Sequence, residues 1–228
     1  MQFKKFNSFN RRSVLAGLSL AFALALPAQA AFVTPQMGGG QVAMMGGAPM
    51  KHLDVSFDGT DISVHIDDTV ATPMLRPLTP PDAFDPSESW AVLNDKAYNF
   101  QYGWNPSGFI TLPGGAGIWI QRLGQDPELE VYARPPAIDP AYAPLFANDG
   151  DAWKWSGAMT HNAYAVLDPT RDTYTATYRV YIGDAVTGEA LAGYGSTDVT
   201  LAFSATPVPE PATIGLVALL PVLMRRRR

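Results

Sequence analysis

Thr173 to Ile182 reads "TYTATYRVYI". Tyr174, Ala176, Tyr178, Val180 and Ile182 fall on one parity, and Thr173, Thr175, Thr177, Arg179 and Tyr181 on the other. A period of two, with apolar residues on one side and hydroxyls and a charge on the other, predicts a half-buried antiparallel strand. The same alternation recurs, between turn clusters, in "HLDVSF" (52–57), "DISVHI" (61–66), "YNFQYG" (98–103), "GFITLP" (108–113), "GIWIQR" (117–122), "LEVYA" (129–133), "WKWSGAM" (153–159), "NAYAVL" (162–167) and "DVTLAF" (198–203). Many short strands punctuated by Gly and Pro predict an all-β fold, an antiparallel β-sandwich. Two Pro-rich stretches, 72–86 and 134–144, read as surface connections. The expected domain runs from 51 to 206, preceded at 31–50 by a Gly- and Met-rich stretch that reads as a flexible spacer. Its methionines, Met37, Met44, Met45 and Met50, are of a type that binds Cu(I), but the composition fits a plain spacer better.

The ends of the chain carry targeting patterns. Residues 1–30 combine Lys4, Lys5, Arg11 and Arg12 with an apolar run from Val14 to Leu26 and a small-residue cleavage site at Ala28-Gln29-Ala30, which is the pattern of an export signal peptide. The paired arginines resemble a twin-arginine signal, with Val14 where Phe is usual, and do not separate Sec from Tat export. At the other end, 207–228 holds Pro209-Glu210-Pro211, an apolar segment from Ala212 to Met224 interrupted by Pro221, and four arginines. That run is short for a full membrane span, which takes about 20 residues. A plain reading is a single-pass anchor with a positive-inside tail. The order of tripeptide, apolar helix and basic tail resembles the PEP-CTERM sorting signal of Gram-negative bacteria. The resemblance implies recognition at Pro209, Glu210 and Pro211 by a membrane-embedded exosortase, and delivery to the cell envelope, surface or extracellular matrix.

Eight of the 16 basic residues lie in these two end segments, leaving eight against 21 acidic residues between 31 and 211, a net charge of −13. Such a surface repels phosphate backbones, so nucleic acid is not an expected partner. Without cysteine there is no disulfide and no thiolate metal site. Enzyme patterns are missing too. There is no Gly-x-Ser-x-Gly elbow and no His-Glu-x-x-His, and Gly114 to Gly117 lies between predicted strands rather than opening a helix. The acidic turns at Asp58 to Asp61 and Asn148 to Asp151 lack EF-hand spacing. The chain is therefore expected to be non-catalytic.

Two of the three histidines flank a predicted hairpin, "HLDVSFDGTDISVHID" (52–67). Leu53, Val55 and Phe57 must share the core face with Ile62, Val64 and Ile66. A two-residue Asp58-Gly59 turn achieves this with His52 opposite His65. A four-residue turn, Asp58 to Asp61, achieves it with Asp54 opposite His65. Either way His52, Asp54 and His65 gather on the polar face, where spacing alone favours solvated side chains over metal ligands. Joined by His161, they would form three imidazoles and a carboxylate, a set suited to Zn²⁺.

The chain from 51 to 204 also resembles the choice-of-anchor M domain of bacterial surface proteins and the zinc-repressor-controlled PEP-CTERM proteins. The shared elements are a His-x-Asp opening strand (His52, Asp54), an aromatic-Gly segment leading to Leu-Pro and Trp-Ile-Gln, and a His-containing strand before a Tyr-rich one. The resemblance implies Zn²⁺ or a similar divalent metal held by His52, Asp54, His65 and His161, in surface metal handling. Asn162 departs from the paired histidines usual there. The alternative is a structural or exopolysaccharide-binding matrix component without metal, in which Trp153 and Trp155, two apart on one strand face, with Trp104 and Trp119, could offer stacking platforms, although large aromatics in a sandwich of this size are expected mostly in the core.

Overall fold

The computed structural model describes residues 32–36, 49–134 and 141–208, and the segments expected to be the signal peptide and the sorting signal lie outside them. The described chain is all-β. Thirteen strands follow one another: β1 (Phe32–Val33), β2 (Lys51–Phe57), β3 (Ile62–Ile66), β4 (Ala83–Phe84), β5 (Lys96–Asn99), β6 (Tyr102–Pro106), β7 (Ala116–Gln125), β8 (Leu129–Tyr132), β9 (Pro144–Leu145), β10 (Ala152–Trp155), β11 (Ala163–Leu167), β12 (Thr173–Asp184) and β13 (Ser196–Ser204). A 3-10 turn at Ser89–Leu93 is the only helical element among the described residues.

The strands form four sheets, ordered β10-β7-β12-β13, β5-β11-β8-β9, β3-β2-β6 and β1-β4. The parity read from Thr173–Ile182 holds: Tyr174, Ala176, Tyr178, Val180 and Ile182 are all buried. They meet Ile118 and Ile120 of β7, Val199, Leu201 and Phe203 of β13, and Trp153 and Trp155 of β10 in the larger core. From the β5-β11-β8-β9 sheet, Ala97, Leu129, Val131, Tyr164 and Val166 enter the same core. Tyr164 and Phe203 join the two sheets with ring centroids 4.8 Å apart. Trp104 of β6 ties the three-stranded sheet to β12 through Tyr178, edge to face at 6.1 Å. Aromatic pairs of this kind contribute about 0.5–1.5 kcal/mol beyond the area they bury.

β11 explains why its sequence lacks a polar parity. Tyr164 and Val166 face the larger core, while Ala163 and Ala165 face a second one with Phe84, Leu93, Tyr98, Phe100, Tyr132 and Tyr142. A strand buried on both faces reads as a continuous apolar run.

Four sequence expectations need correction. Residues 108–113 alternate yet form no strand: Gly108 sits at φ +86°, which breaks the extended chain, and Phe109 points into solvent. The 72–86 connection does not simply cross the surface, because Leu75 and Phe84 are buried and Met74 and Arg76 bridge to Ser204 and Tyr98. Not every pairing is antiparallel, since β2–β6 and β1–β4 run parallel. Within the stretch read as a spacer, Phe32 and Val33 pair with Ala83 and Phe84, and Val33 packs on the second core.

β5 and β6 are one predicted strand that changes sheets at Phe100–Gln101. Asn99 Oδ1 accepts the Gln101 backbone N–H at 2.7 Å, and the Gln101 amide donates to the Pro49 carbonyl at 2.9 Å. That corner delivers β6 alongside β2 and so positions the candidate site.

Candidate functional site

The β2–β3 hairpin adopts the four-residue turn, with Leu53 opposite Ile66, Asp54 opposite His65 and Val55 opposite Val64. Asp58 determines this choice. Its Oδ1 accepts the N–H groups of Thr60 and Asp61 at 2.9 and 2.8 Å, and Gly59 takes φ +106°. Both bonds favour the charged carboxylate and hold its pKa below the usual value.

On the other side of β2, the parallel register sets His52 beside Gly103 and Asp54 beside Asn105. The Asn105 amide donates to Asp54 Oδ1 at 2.7 Å. His65, Asp54 and Asn105 thus form a polar row across three strands, with His65 exposed at its outer end.

One step along, Gly103 leaves a gap in the row beside His52, and His161 fills it. A Cβ built on Gly103 would come within 2.4 Å of the His161 ring, so that ring lies directly on the glycine backbone. Reciprocal backbone bonds between Thr160 and Trp104, both 2.9 Å, bring His161 there. His161 is only 2 % exposed, and its ring meets that of His52 edge to face, with centroids 6.2 Å apart.

The protonation of His161 follows from its partner. Its Nδ1 lies 2.8 Å from the Phe100 carbonyl oxygen, which can only accept, so Nδ1 carries the proton and Nε2 presents its lone pair. Burial pushes the pKa of this imidazole down. Backbone hydrogen bonding to Phe100 and, more weakly, Tyr102 opposes that shift, while His52 and Arg134 add to it by charge. The ring is therefore neutral at neutral pH. A neutral imidazole oriented through Nδ1 by a backbone carbonyl is the usual preparation of a metal-binding histidine.

His161 Nε2 is buried without a hydrogen-bond partner, and so is His52 Nε2. Both amide atoms of Asn162 are unpartnered as well. The Arg134 guanidinium stacks on the Phe100 ring, 4.8 Å from its centroid. Such atoms are costly to bury unless something bonds to them. Neutral imidazole nitrogens are donors of the type transition metals take, and the Arg134 charge would work against a cation there.

The four-residue ligand set is not assembled. Among the described residues, no group of three or more His, Asp or Glu side chains is arranged to hold a metal. The pairing explains why: His65 is on β3 and His161 lies over β6, two inter-strand spacings apart or about 10 Å. His52 and His161 come together, Asp54 is taken by Asn105, and His65 stands apart. The tryptophans do not form the platforms that sugar stacking requires. Trp153 and Trp155 are 7 % and 2 % exposed and belong to the larger core, as does Trp104, while a Cβ built on Gly188 would come within 3.4 Å of the Trp119 ring. Gly103, Phe100 and Arg134 were not identified from sequence as parts of the site. A glycine inside a strand was the available signal, since it marks close approach of another group.

Comparison of the chain with protein-family models, with curated proteins and with solved structures gives no match in any of the three.

Proposed function

We propose that this chain is an exported, non-catalytic β-sandwich protein that binds a divalent transition metal, Zn²⁺ or one similar, through His52 and His161. In this reading, the export pattern of residues 1–30 takes it across the inner membrane. The apolar run from Ala212 to Met224 then holds it at the bilayer until a sorting enzyme acts at Pro209, Glu210 and Pro211. The observation that carries the metal reading is the pair of buried, unpartnered Nε2 atoms on imidazoles that meet edge to face, one of them fixed as a lone-pair donor by the Phe100 carbonyl. The two imidazoles supply part of a coordination sphere and leave the rest to water or an incoming ligand, as suits a protein that captures and passes on metal. The net charge of −13 between residues 31 and 211 draws cations toward the surface.

A calorimetric zinc titration of the tag-free exported chain at pH 7.5 tests the reading. Stoichiometric binding is expected, lost in both His52→Ala and His161→Ala and retained in His65→Ala. Zinc binding that is absent, or that survives both substitutions, would refute it.

A further inference from the structure

β12 and β13 form a long ladder that gives the domain two ends. At one end Thr173 pairs with Ser204, and at the other Tyr181 pairs with Ser196. The chain leaves at the first end and stays attached to it. The Ala205 N–H donates to the Asp172 carbonyl at 2.9 Å, and the Val208 N–H donates to the Pro169 carbonyl at 2.7 Å.

Only Pro209, Glu210 and Pro211 separate Val208 from Ala212, where the apolar run begins. Even fully extended, that connection reaches at most about 14 Å. The headgroup layer on one side of a bilayer takes up roughly 5–8 Å of it. Once the apolar run is inserted, Val208 must lie close to the lipid surface, and the Val208–Pro169 bond brings the end of the domain with it.

The surface at that end has matching character. Leu167, Val208 and Met74 are 54 %, 51 % and 39 % exposed, three of the eight exposed large apolar side chains among the described residues. Met74 bridges to Ser204, and Leu167 precedes Pro169 by two residues, so all three border the exit. Pro77, Pro169 and Val208 line a cleft of about 340 Å³ there. Asp95, Asp168 and Arg76 line the same cleft, so no excess of positive charge selects anionic lipid. The tether and the apolar collar hold the face in place.

We propose that this end of the domain, carrying Met74, Leu167, Pro169 and Val208, lies on the bilayer surface while the C-terminal segment is inserted, with its apolar collar in the headgroup layer. The loop at Val186, which is 88 % exposed, then stands at the other end of β12, on the order of 35 Å from the membrane. The inference rests on the reading of Ala212–Met224 as a membrane-inserting segment.

The chain has no native cysteine, so single positions can be labelled. Leu167→Cys, Val208→Cys and Val186→Cys, each in the chain from Ala31 to Arg228 so that the C-terminal segment is the one candidate insertion sequence, would each carry one fluorophore and be reconstituted into phosphatidylcholine vesicles containing a lipid with a headgroup nitroxide. Flotation reports insertion, and quenching reports proximity to the surface. The expected result is co-flotation of all three, with quenching at 167 and 208 at least threefold stronger than at 186. Co-flotation with equal quenching at the three positions, or with the strongest at 186, would overturn this orientation and leave the anchor standing. Failure to float would overturn the anchor and the orientation together.

Discussion

The imidazole of His161 lies against the backbone of Gly103, so close that any side chain at 103 would occupy the space of the ring. Gly103→Ala is therefore expected to push His161 off the Phe100 carbonyl and away from His52. Overpacking of this kind costs about 1–3 kcal/mol. Urea unfolding should show that loss, and zinc titration of the still-folded variant should show weakened binding. Unchanged stability and affinity would mean that the ring has another way to sit.

His161 also predicts a pH dependence. Its folded pKa lies below the unfolded value near 6.5, so the unfolded chain binds more protons as pH falls through that range. The associated stability is fully present above about pH 6.5 and declines as pH drops toward the folded pKa. Asp58, Asp67, Asp85, Asp184, Asp198 and Glu128 have lowered values too, held by hydrogen bonds to their carboxylates, but their contributions decline only below the ordinary carboxylate range. Urea midpoints of the metal-free protein between pH 7.5 and 5.0 should fall for the native chain and stay flatter for His161→Gln. Parallel curves would remove His161 as the cause.

What was legible in the sequence was local. The period of two in Thr173–Ile182 placed the buried face of β12 because burial and alternation share one parity. The hairpin parity was legible as well, but turns of two and four residues preserve it equally, and only the Asp58 side chain bonding to Thr60 and Asp61 selects between them. Residues 108–113 show the limit of the same logic, since alternation marks a strand only where a partner strand pairs with it. The histidine pair was half legible. His52 and His161 were both identified, but their meeting depends on the parallel β2–β6 pairing and the Thr160–Trp104 bridge, which join segments about 50 residues apart or more. No spacing rule connects such segments. The same pairing sets His65 and His161 two inter-strand spacings apart.

Arg134 offers a gain-of-function test. Its charge reaches His161 and opposes both protonation of that ring and the arrival of a metal cation. Removing one partly screened unit charge is worth on the order of 1 kcal/mol, or about fivefold in affinity. Arg134→Gln should bind zinc more tightly by about that factor and raise the pKa of His161, which proton NMR of the imidazole can follow. The stacking on Phe100 would be lost as well, so a small drop in stability should accompany the gain. A variant that binds zinc no better would show that the guanidinium charge is already neutralised at the site.

Trp155 separates a structural role from sugar recognition. It is buried in the larger core, and its indole N–H donates to the Ala158 carbonyl at 2.8 Å. Truncation to Ala removes a large buried ring, a change that costs about 3–5 kcal/mol, while the Ala158 carbonyl keeps its bond from the Thr160 hydroxyl at 2.8 Å. Trp155→Ala should therefore shift the urea midpoint strongly or prevent folding. If the ring acts only in the core, the native chain should migrate unretarded in affinity electrophoresis through gels containing bacterial exopolysaccharide. Retardation of the native chain, abolished in a Trp155→Phe variant of near-native stability, would instead assign the ring to polysaccharide binding and require the surrounding face to open.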